Sequence, residues 1–288
     1  MPGNKPFKIR LMTNHDLDQA MSLSMAEGWN QTENDWKLLL DNSLNICIVA
    51  ECKNQIIGTA TSLNFLNKVA WIGMVLVDKD LRGQGIGKML LTGIIKKLKV
   101  IESIKLDATP AGQPLYQKLG FKEEHVILRM TKTSSNISLI NESKGKTKLI
   151  GRQSLPEVLK LDNKISGYDR TYLLQTVFQN YPEKAFLIKR SNNLDGYIFG
   201  RDGNLSNYIG PAYARSINSA KVLISKALSS IDNKPVAIDV LQDKKDLIEW
   251  LESIGFVKQR QFMRMYQKSN PYTGIVKNQY LISGPEFG

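Results

Sequence analysis

The sequence is poor in the residues that hold a fold together covalently or through a metal. Two cysteines in 288 residues, Cys47 and Cys52, are too few for a disulfide framework. With only two histidines, His15 and His125, there is no metal-ligand spacing either, and no metal is expected. Both cysteines read as reduced thiols on or beside a strand. No apolar run reaches the roughly 18 residues that a membrane span requires. The opening residues, MPGNKPFKIR, lack the apolar stretch of a secretory signal, so a soluble, cytoplasmic chain without a membrane partner is expected. The sequence also lacks low-complexity character: 42% hydrophobic and 23% charged residues are globular values that exclude disorder, collagen and coiled coil as the overall class.

Acidic residues are in the minority, 27 against 39 basic, which leaves a net charge of +12. An excess of that size admits nucleic acid, acidic metabolites or an anionic cofactor. The excess is spread, +3 over residues 1–131, +3 over 132–148 and +6 over 149–288. A nucleic-acid binder gathers its charge into a stripe with interleaved aromatics, and no such stripe is present, so no nucleic-acid partner is expected. The densest basic run, Lys96 to Lys99, reads as the solvated face of a helix.

The length is about twice that of an ordinary domain, and the chain contains an internal repeat. Gly28-Trp29 is answered by Gly167-Tyr168, Gly58 by Gly196 and Gly120-Phe121 by Gly255-Phe256, at separations of 139, 138 and 135 residues. Between the copies, residues 132–147 (KTSSNISLINESKGKT) are polar and Gly-interrupted, as linkers are. The expected organisation is two copies of one fold, 1–131 and 148–288, joined by the linker 132–147.

In the first copy, Leu17 to Ala26 and Trp36 to Leu40 have helical spacing. Ile46 to Ala50 and Ile56 to Ser62 read as strands around the polar turn Cys52 to Gln55. Val69 to Val77 follows as a longer strand. A Gly-rich turn then opens an amphipathic helix striped by Leu90, Leu91, Ile94, Ile95 and Leu98. Ser103 to Ala108, Gln113 to Leu119 and Val126 to Met130 complete the order with a strand, a helix capped by Gly120 and a strand. The fold class is therefore α/β, with a mixed sheet.

The turn Arg82-Gly83-Gln84-Gly85-Ile86-Gly87 lies where a strand hands over to a helix. Such a loop exposes free amides at the positive end of the helix dipole, and its glycines let an anion approach closely. It lacks the Gly-Lys-Ser/Thr of a phosphate-binding P-loop and the G-x-G-x-x-G spacing of a dinucleotide fold. Arg82 can add a bidentate contact to a phosphate and Lys88 a point charge. A bare tight turn would use the same glycines.

Val75-x-Val77, then Arg82-x-x-Gly85-x-Gly87, then Leu115-Tyr116 and Gly120-Phe121 about thirty residues on, resemble the GNAT superfamily of acyl-CoA N-acyltransferases. The resemblance covers nearly all of residues 7–131. It implies tandem GNAT-like domains of bacterial type, with acetyl-CoA as co-substrate and transfer of the acetyl group to a primary amine of a small molecule or peptide. The backbone of Val75 and Val77 would pair with the pantetheine arm, and Val75 would also polarise the thioester carbonyl. Arg82, Gly83, Gln84, Gly85, Ile86, Gly87 and Lys88 would hold the pyrophosphate. Tyr116 would serve as acid toward the coenzyme sulfur; the alternative is an aromatic that closes its helix onto the core.

A protonated amine must lose a proton before it can attack, and the long strand Trp71 to Val77, where relatives often carry a Glu, has no acid. The expected sources are Glu27, Glu33 and Asp35 around Trp29, or a water chain. Glu27, Trp29 and Asp107 are the candidate substrate contacts. The missing strand carboxylate also leaves open a non-catalytic acyl-CoA-binding sensor.

The second copy has lost the glycines. Aligning Arg215 with Arg82 sets Ser216 to Lys221 against Gly83 to Lys88, and side chains there hinder a phosphate. Trp250 is expected at the place of Tyr116. Residues 148–288 therefore read as a degenerate GNAT-like half that shapes the acceptor site of the first, with Asp169, Arg170 and Arg201 as exposed ion pairs or substrate contacts. A monomer or homodimer is expected.

Overall fold

The structure is a computed structural model that describes residues 7–135 and 147–288. The first half runs β1 (Lys8–Leu11), α1 (Leu17–Ala26), α2 (Glu33–Leu40), β2 (Ile46–Cys52), β3 (Gln55–Phe65), β4 (Val69–Val77), α3 (Ile86–Lys97), β5 (Ser103–Ala108), α4 (Gln113–Lys118) and β6 (Lys122–Lys132). The second half repeats it with β7 (Thr147–Leu149), α5 (Leu155–Ser166), α6 (Thr171–Asn180), β8 (Phe186–Arg190), β9 (Asn193–Arg201), β10 (Asn207–Ala214), α7 (Ile217–Ser229), β11 (Val236–Leu241), α8 (Lys245–Ser253) and β12 (Val257–Lys268), and then adds β13 (Gln279–Leu281). Each half opens with a short strand that the residue pattern does not announce. Of the linker expected at 132–147, the first residue closes β6 and the last opens β7, and 136–146 lie outside the described residues.

The repeated glycines occupy equivalent backbone positions. Gly28 and Gly167 end α1 and α5 in the left-handed region, at φ 64° and 85°, and Gly120 and Gly255 follow α4 and α8 at 88° and 94°. Gly58 and Gly196 lie where the neighbouring strand presses in: an added Cβ would stand 2.8 Å from the Leu76 carbonyl oxygen in one half and 2.7 Å from that of Tyr213 in the other. The tight turns Lys53-Asn54 and Ser191-Asn192 both take positive φ at two successive residues, as two-residue hairpins of primed type require.

The thirteen strands of the described residues join one sheet, in the order β1-β2-β3-β4-β5-β12-β6-β11-β13-β10-β9-β8-β7. The halves have exchanged their closing strands. β12 of the second half lies antiparallel on β5 of the first, from Met263 opposite Ala108 to Lys268 opposite Ser103. β6 of the first half lies on β11 of the second, from Lys132 opposite Val236 to Ile127 opposite Leu241. The two exchanged strands also pair with each other at the centre.

Two equivalent ion pairs fix this exchange. Arg264 on β12 forms a bidentate pair with Asp107 at the end of β5, at 2.9 and 3.0 Å, and Arg129 on β6 does the same to Asp239 on β11, at 2.8 and 2.7 Å. Both aspartate side chains are fully buried. On the face covered by α1, α2, α5 and α6, one continuous apolar core draws on both halves, with Trp36 and Trp71 from the first and Tyr197, Phe199 and Phe287 from the second. On the other face α3 packs over the first half and α7 with α8 over the second.

Breaking one buried pair leaves an uncompensated charge, a loss of about 3–5 kcal/mol. Arg264→Ala is therefore expected to lower the unfolding free energy by about that amount. Because the exchange interlocks the halves, denaturant titration of the variant should still show one transition for both; two separated transitions would contradict the exchange.

Candidate active site

β4 and β5 run parallel and pair only at their starts, through Val69, Ala70 and Trp71 with Ser103, Ile104 and Lys105. Beyond Trp71 they diverge. The cause lies on the opposite edge of β4, where Met74 and Val75 together oppose the single residue Ala60, a bulge with Met74 at φ 49°. Thr59 and Thr61 hold it by donating their hydroxyls to the Met74 and Gly73 carbonyls, at 2.6 and 3.1 Å. The opened wedge leads into a cavity of about 460 Å³ bordered by Met74, Val75, Leu106, Asp107 and Tyr116.

Where β4 turns toward α3 lies the glycine turn. Gly83 and Gly85 take φ 79° and 82° and face open space, and Gly85 caps α3 with no side chain. Among the described residues, the amides of Gly83, Gln84, Gly85, Ile86, Gly87 and Lys88 donate to nothing. Six free amides at a helix N-terminus form an anion cradle. Arg82 stands at its rim and Lys88 is exposed beside it. Val77, at the end of β4, touches Gly87: a Cβ there would lie 3.5 Å from its methyl group.

Glu27 lies beside this turn rather than at the acceptor end. Its carboxylate pairs with Arg82 at 2.5 Å and approaches Lys79 at 3.7 Å, and it does not border the cavity. Tyr116, on α4, packs edge-on against Phe121 with ring centroids 6.0 Å apart. Burial pushes its phenol up to about 12. Its hydroxyl makes no hydrogen bond among the described residues, and the side chain borders the cavity.

The far side of the cavity belongs to both halves. Trp29, Asn30 and Gln31, between α1 and α2, form one wall. Asn30 is tied into the second half: its Nδ2 donates to the Ser206 carbonyl at 2.9 Å, and its Oδ1 accepts from the Leu205 and Ser206 amides at 2.8 and 3.0 Å. Arg129 of β6 and Arg260 and Phe262 of β12 form the opposite wall. Asp107 also borders the cavity, with both oxygens engaged by Arg264, so it anchors the exchanged strand.

The remaining acids around Trp29 separate. Glu33 pairs with Lys37 at 2.6 Å on the surface. Asp35 is buried; its Oδ2 accepts from the Thr32 amide at 2.8 Å, capping α2, and its Oδ1 meets Arg201 Nε at 3.0 Å. Burial pushes the Asp35 carboxyl above its usual range against the pull of Arg201. The other acid on Arg201 is Glu286, at 2.6 Å, which borders the cavity and which the sequence pattern did not single out. His15 and His125 do not border the cavity. Both cysteines are free and buried on β2, and burial pushes the Cys47 thiol up to about 12.

Family profiles match both halves. A profile described as an acetyltransferase (GNAT) domain matches residues 43–123, and a second with the same description matches 158–281, together more than two thirds of the chain. The chain belongs to the GNAT acetyltransferases. The holothin acyltransferase of Pseudoalteromonas sp. (strain SANK 73390) is 23% identical over 252 residues, 86% of this chain and 83% of that protein. YitH of Bacillus subtilis (strain 168), an uncharacterized N-acetyltransferase, is 27% identical over 212 residues, 73% of this chain and 74% of that one. Among solved structures, a Pyrococcus horikoshii protein assigned to the acetyltransferases superposes with a TM-score of 0.81 at 22% identity, covering 98% of this chain and 96% of its own. A tandem GNAT protein from the clavulanic acid pathway has a TM-score of 0.65 at 12% identity, covering 92% and 99%. These two structures share the fold.

The second GNAT half has the same wedge in another state. β10 and β11 pair only through Asn207 and Tyr208 with Val236 and Ala237, and the gap beyond them is filled by β13: Leu281 pairs with Ala212 and Val240, and Gln279 with Tyr213. The bulge of β10 holds Gly210 and Pro211, and proline has no N–H to offer a carbonyl. In place of the glycine cradle, Ser216 caps α7 by accepting from the Ser219 amide at 3.2 Å, and the Ser219 hydroxyl bonds Asp195. The helix before Gly255 corrects one expectation. The Phe121 amide donates to Tyr116, and the Phe256 amide donates correspondingly to Leu251, so buried Leu251, not Trp250, stands at the tyrosine's place. A phenol is absent there in either case. Arg170 and Arg201 are also not exposed: Arg170 is fully buried against Asp162, and Arg201 lies between Asp35 and Glu286. Asp169 accepts from the Thr171 amide at the start of α6.

Coenzyme A is expected to bind the first half alone. Gly85→Asp sets a carboxylate among the free amides and should weaken binding in calorimetry by roughly tenfold or more, about 1.4 kcal/mol. Asn218→Asp, the matching change in the second half, should leave it unaltered. Equal effects from the two would contradict the assignment.

Proposed function

We propose that the protein is an N-acetyltransferase that moves the acetyl group of acetyl-CoA to a primary amine of a small molecule. The observation that carries this is the occurrence, in one half only, of six free amides after β4, an open wedge between β4 and β5, and a phenol bordering the cavity into which that wedge leads. The cradle suits a pyrophosphate, Arg82 and Lys88 add positive charge, and the wedge exposes the β4 backbone at Val75 and Val77 to a pantetheine arm. The free amides, with open space in front of Gly83 and Gly85, suit a pyrophosphate.

The cavity is of ordinary ligand size. Loop 203–206 and the exchanged strands wall it on the acceptor side, which favours a small amine over a polypeptide. A phenol raised to about 12 stays protonated through any working pH. It is a weaker acid than a thiol near 8.5, so Tyr116 steadies the departing sulfur by a hydrogen bond rather than by surrendering its proton. The bulge at Val75, which breaks the β3–β4 ladder, supports the backbone N–H there as the donor that polarises the thioester carbonyl.

Thiol release from acetyl-CoA with phenethylamine, histamine, spermidine and lysine tests the reading. Turnover of at least one amine is expected, and Tyr116→Phe should lower kcat by about 10²-fold with coenzyme affinity unchanged. The wild-type kcat profile should show no descending limb from the phenol up to pH 10, because its proton is held to about 12. Tight coenzyme binding with no turnover of any amine would favour the non-catalytic acyl-CoA sensor instead.

A further inference from the structure

Forming an amide from an ammonium group and a thioester releases protons that something must accept, and β4 from Val69 to Val77 contains no acid. Among the described residues that border the cavity, only Asp107 and Glu286 are acidic. Both oxygens of Asp107 are held by Arg264. Glu286 is different. Its Oε1 accepts from Arg201 Nη2 at 2.6 Å, and no described group donates to its Oε2.

The segment that brings Glu286 to the first half's site is the one that fills the second half's wedge. From β13 the chain turns at Gly284, φ 122°, where an added Cβ would lie about 3 Å from both the Arg201 guanidinium and the Glu286 carboxylate. It then lies across β4: a Cβ on Gly73 would come within 2.9 Å of the Glu286 Cα and 3.0 Å of its carbonyl oxygen. Trp71 donates its indole N–H to the Pro285 carbonyl at 2.9 Å. On the other side Phe287 is fully buried in the shared core, and the Gly288 oxygen accepts from Arg170 at 3.1 Å and from the Ser283 amide at 3.0 Å. The carboxylate is thus pinned from both flanks while one oxygen stays available.

The charge held by Arg201 and its two acids favours a cation. Arg201 is shared by Asp35 and Glu286, all three nearly sealed from solvent, so the set holds two carboxylates against one guanidinium. Tyr208, whose hydroxyl bonds Asp239, and Arg129, paired with the same aspartate, also act on Glu286, and the cations Arg260 on β12 and Lys132 on β6 border the same cavity. An excess negative charge out of water is relieved by a proton or by a cationic ligand.

We propose that Glu286, carried by segment 279–288 through the second half's wedge, is a catalytic residue of the first half: it receives the acceptor as an ammonium ion and takes its proton. This rests on the acetyltransferase reading of the site. The N–H bond breaks, its proton passes to Glu286 Oε2, and the freed nitrogen pair attacks the thioester carbon. The C–S bond then breaks, and the second nitrogen proton goes to the departing sulfur, giving the amide and coenzyme A thiol; Glu286 returns its proton to solvent.

Glu286→Gln keeps the size of the side chain and leaves Asp35 and Arg201 as a balanced pair, so melting temperature and coenzyme affinity should hold. With the best amine of the four above, kcat/KM at pH 7 should fall by about 10²- to 10³-fold, and the deficit should shrink toward pH 10, where a far larger share of the amine is already neutral than at pH 7. Glu286→Asp, which keeps the charge one methylene further back, should lie between the two, and it serves the same comparison should the glutamine variant not fold. Equal activity of wild type and Glu286→Gln at pH 7, or a deficit of the same size at pH 7 and pH 10, overturns the proposal. Absence of wild-type turnover with every amine overturns the acetyltransferase reading instead, so the two failures are distinct.

Discussion

The exchange of closing strands is the constraint on which the rest of the molecule depends. Arg129 and Arg264 occupy equivalent positions on the exchanged strands and grip Asp239 and Asp107 at equivalent positions on the opposite half. Such pairs contribute little net stability over an apolar equivalent, but they are selective for register. A slip of one residue would turn each guanidinium to the other face of the sheet and leave an aspartate buried without a partner. The pairs therefore specify one arrangement of two halves that the repeat alone would leave free to close on themselves. With β12 seated on β5 and β6 on β11, the cavity acquires a wall that neither half could provide.

The two wedges show one structural device put to two uses. Diverging parallel strands leave backbone donors and acceptors without a ladder partner, and such groups must be satisfied by solvent, a ligand or another segment. In the first half the gap opens into the cavity beside free glycine amides. In the second it is closed by β13, the bulge holds a proline, and the helix caps itself through Ser216. These departures belong together: the half whose wedge is filled also has neither the glycine turn nor the phenol.

Much of this was legible in the residues because it is local. Glycines at 83, 85 and 87 between an apolar strand and an amphipathic helix announce a free helix N-terminus, and the glycine landmarks at a near-constant separation announce the repeat. The exchange was not legible, since β6 and β12 alternate in the same way whichever strand lies beside them. Glu286 stayed hidden for a related reason. Ser283 to Gly288 looks like a polar turn between glycines, and only the buried course of the segment over Gly73 turns that turn residue into a cavity wall. The offset by one at Trp250 arose because Gly255 follows α8 at the same backbone distance as Gly120 follows α4, while the aromatic residue sits one place earlier; the amide bonds from Phe121 and Phe256 settle it where residue types mislead.

The expectation that Arg170 and Arg201 lie on the surface failed on the same point. Lone arginines in a polar-looking sequence are normally solvated, but both here face carboxylates: Arg170 meets Asp162 eight residues earlier on α5, and Arg201 meets Asp35 on α2 and Glu286 after β13, both from far along the chain. Arg170 also anchors the Gly288 oxygen, and Arg201 orders the Ser283 carbonyl at 2.7 Å as well as the Glu286 carboxylate. Both arginines therefore hold segment 279–288 in place, and through it the geometry of the first half's cavity. The second half thus reaches the first half's cavity, because the segment that follows the strand filling its wedge ends in that cavity's wall.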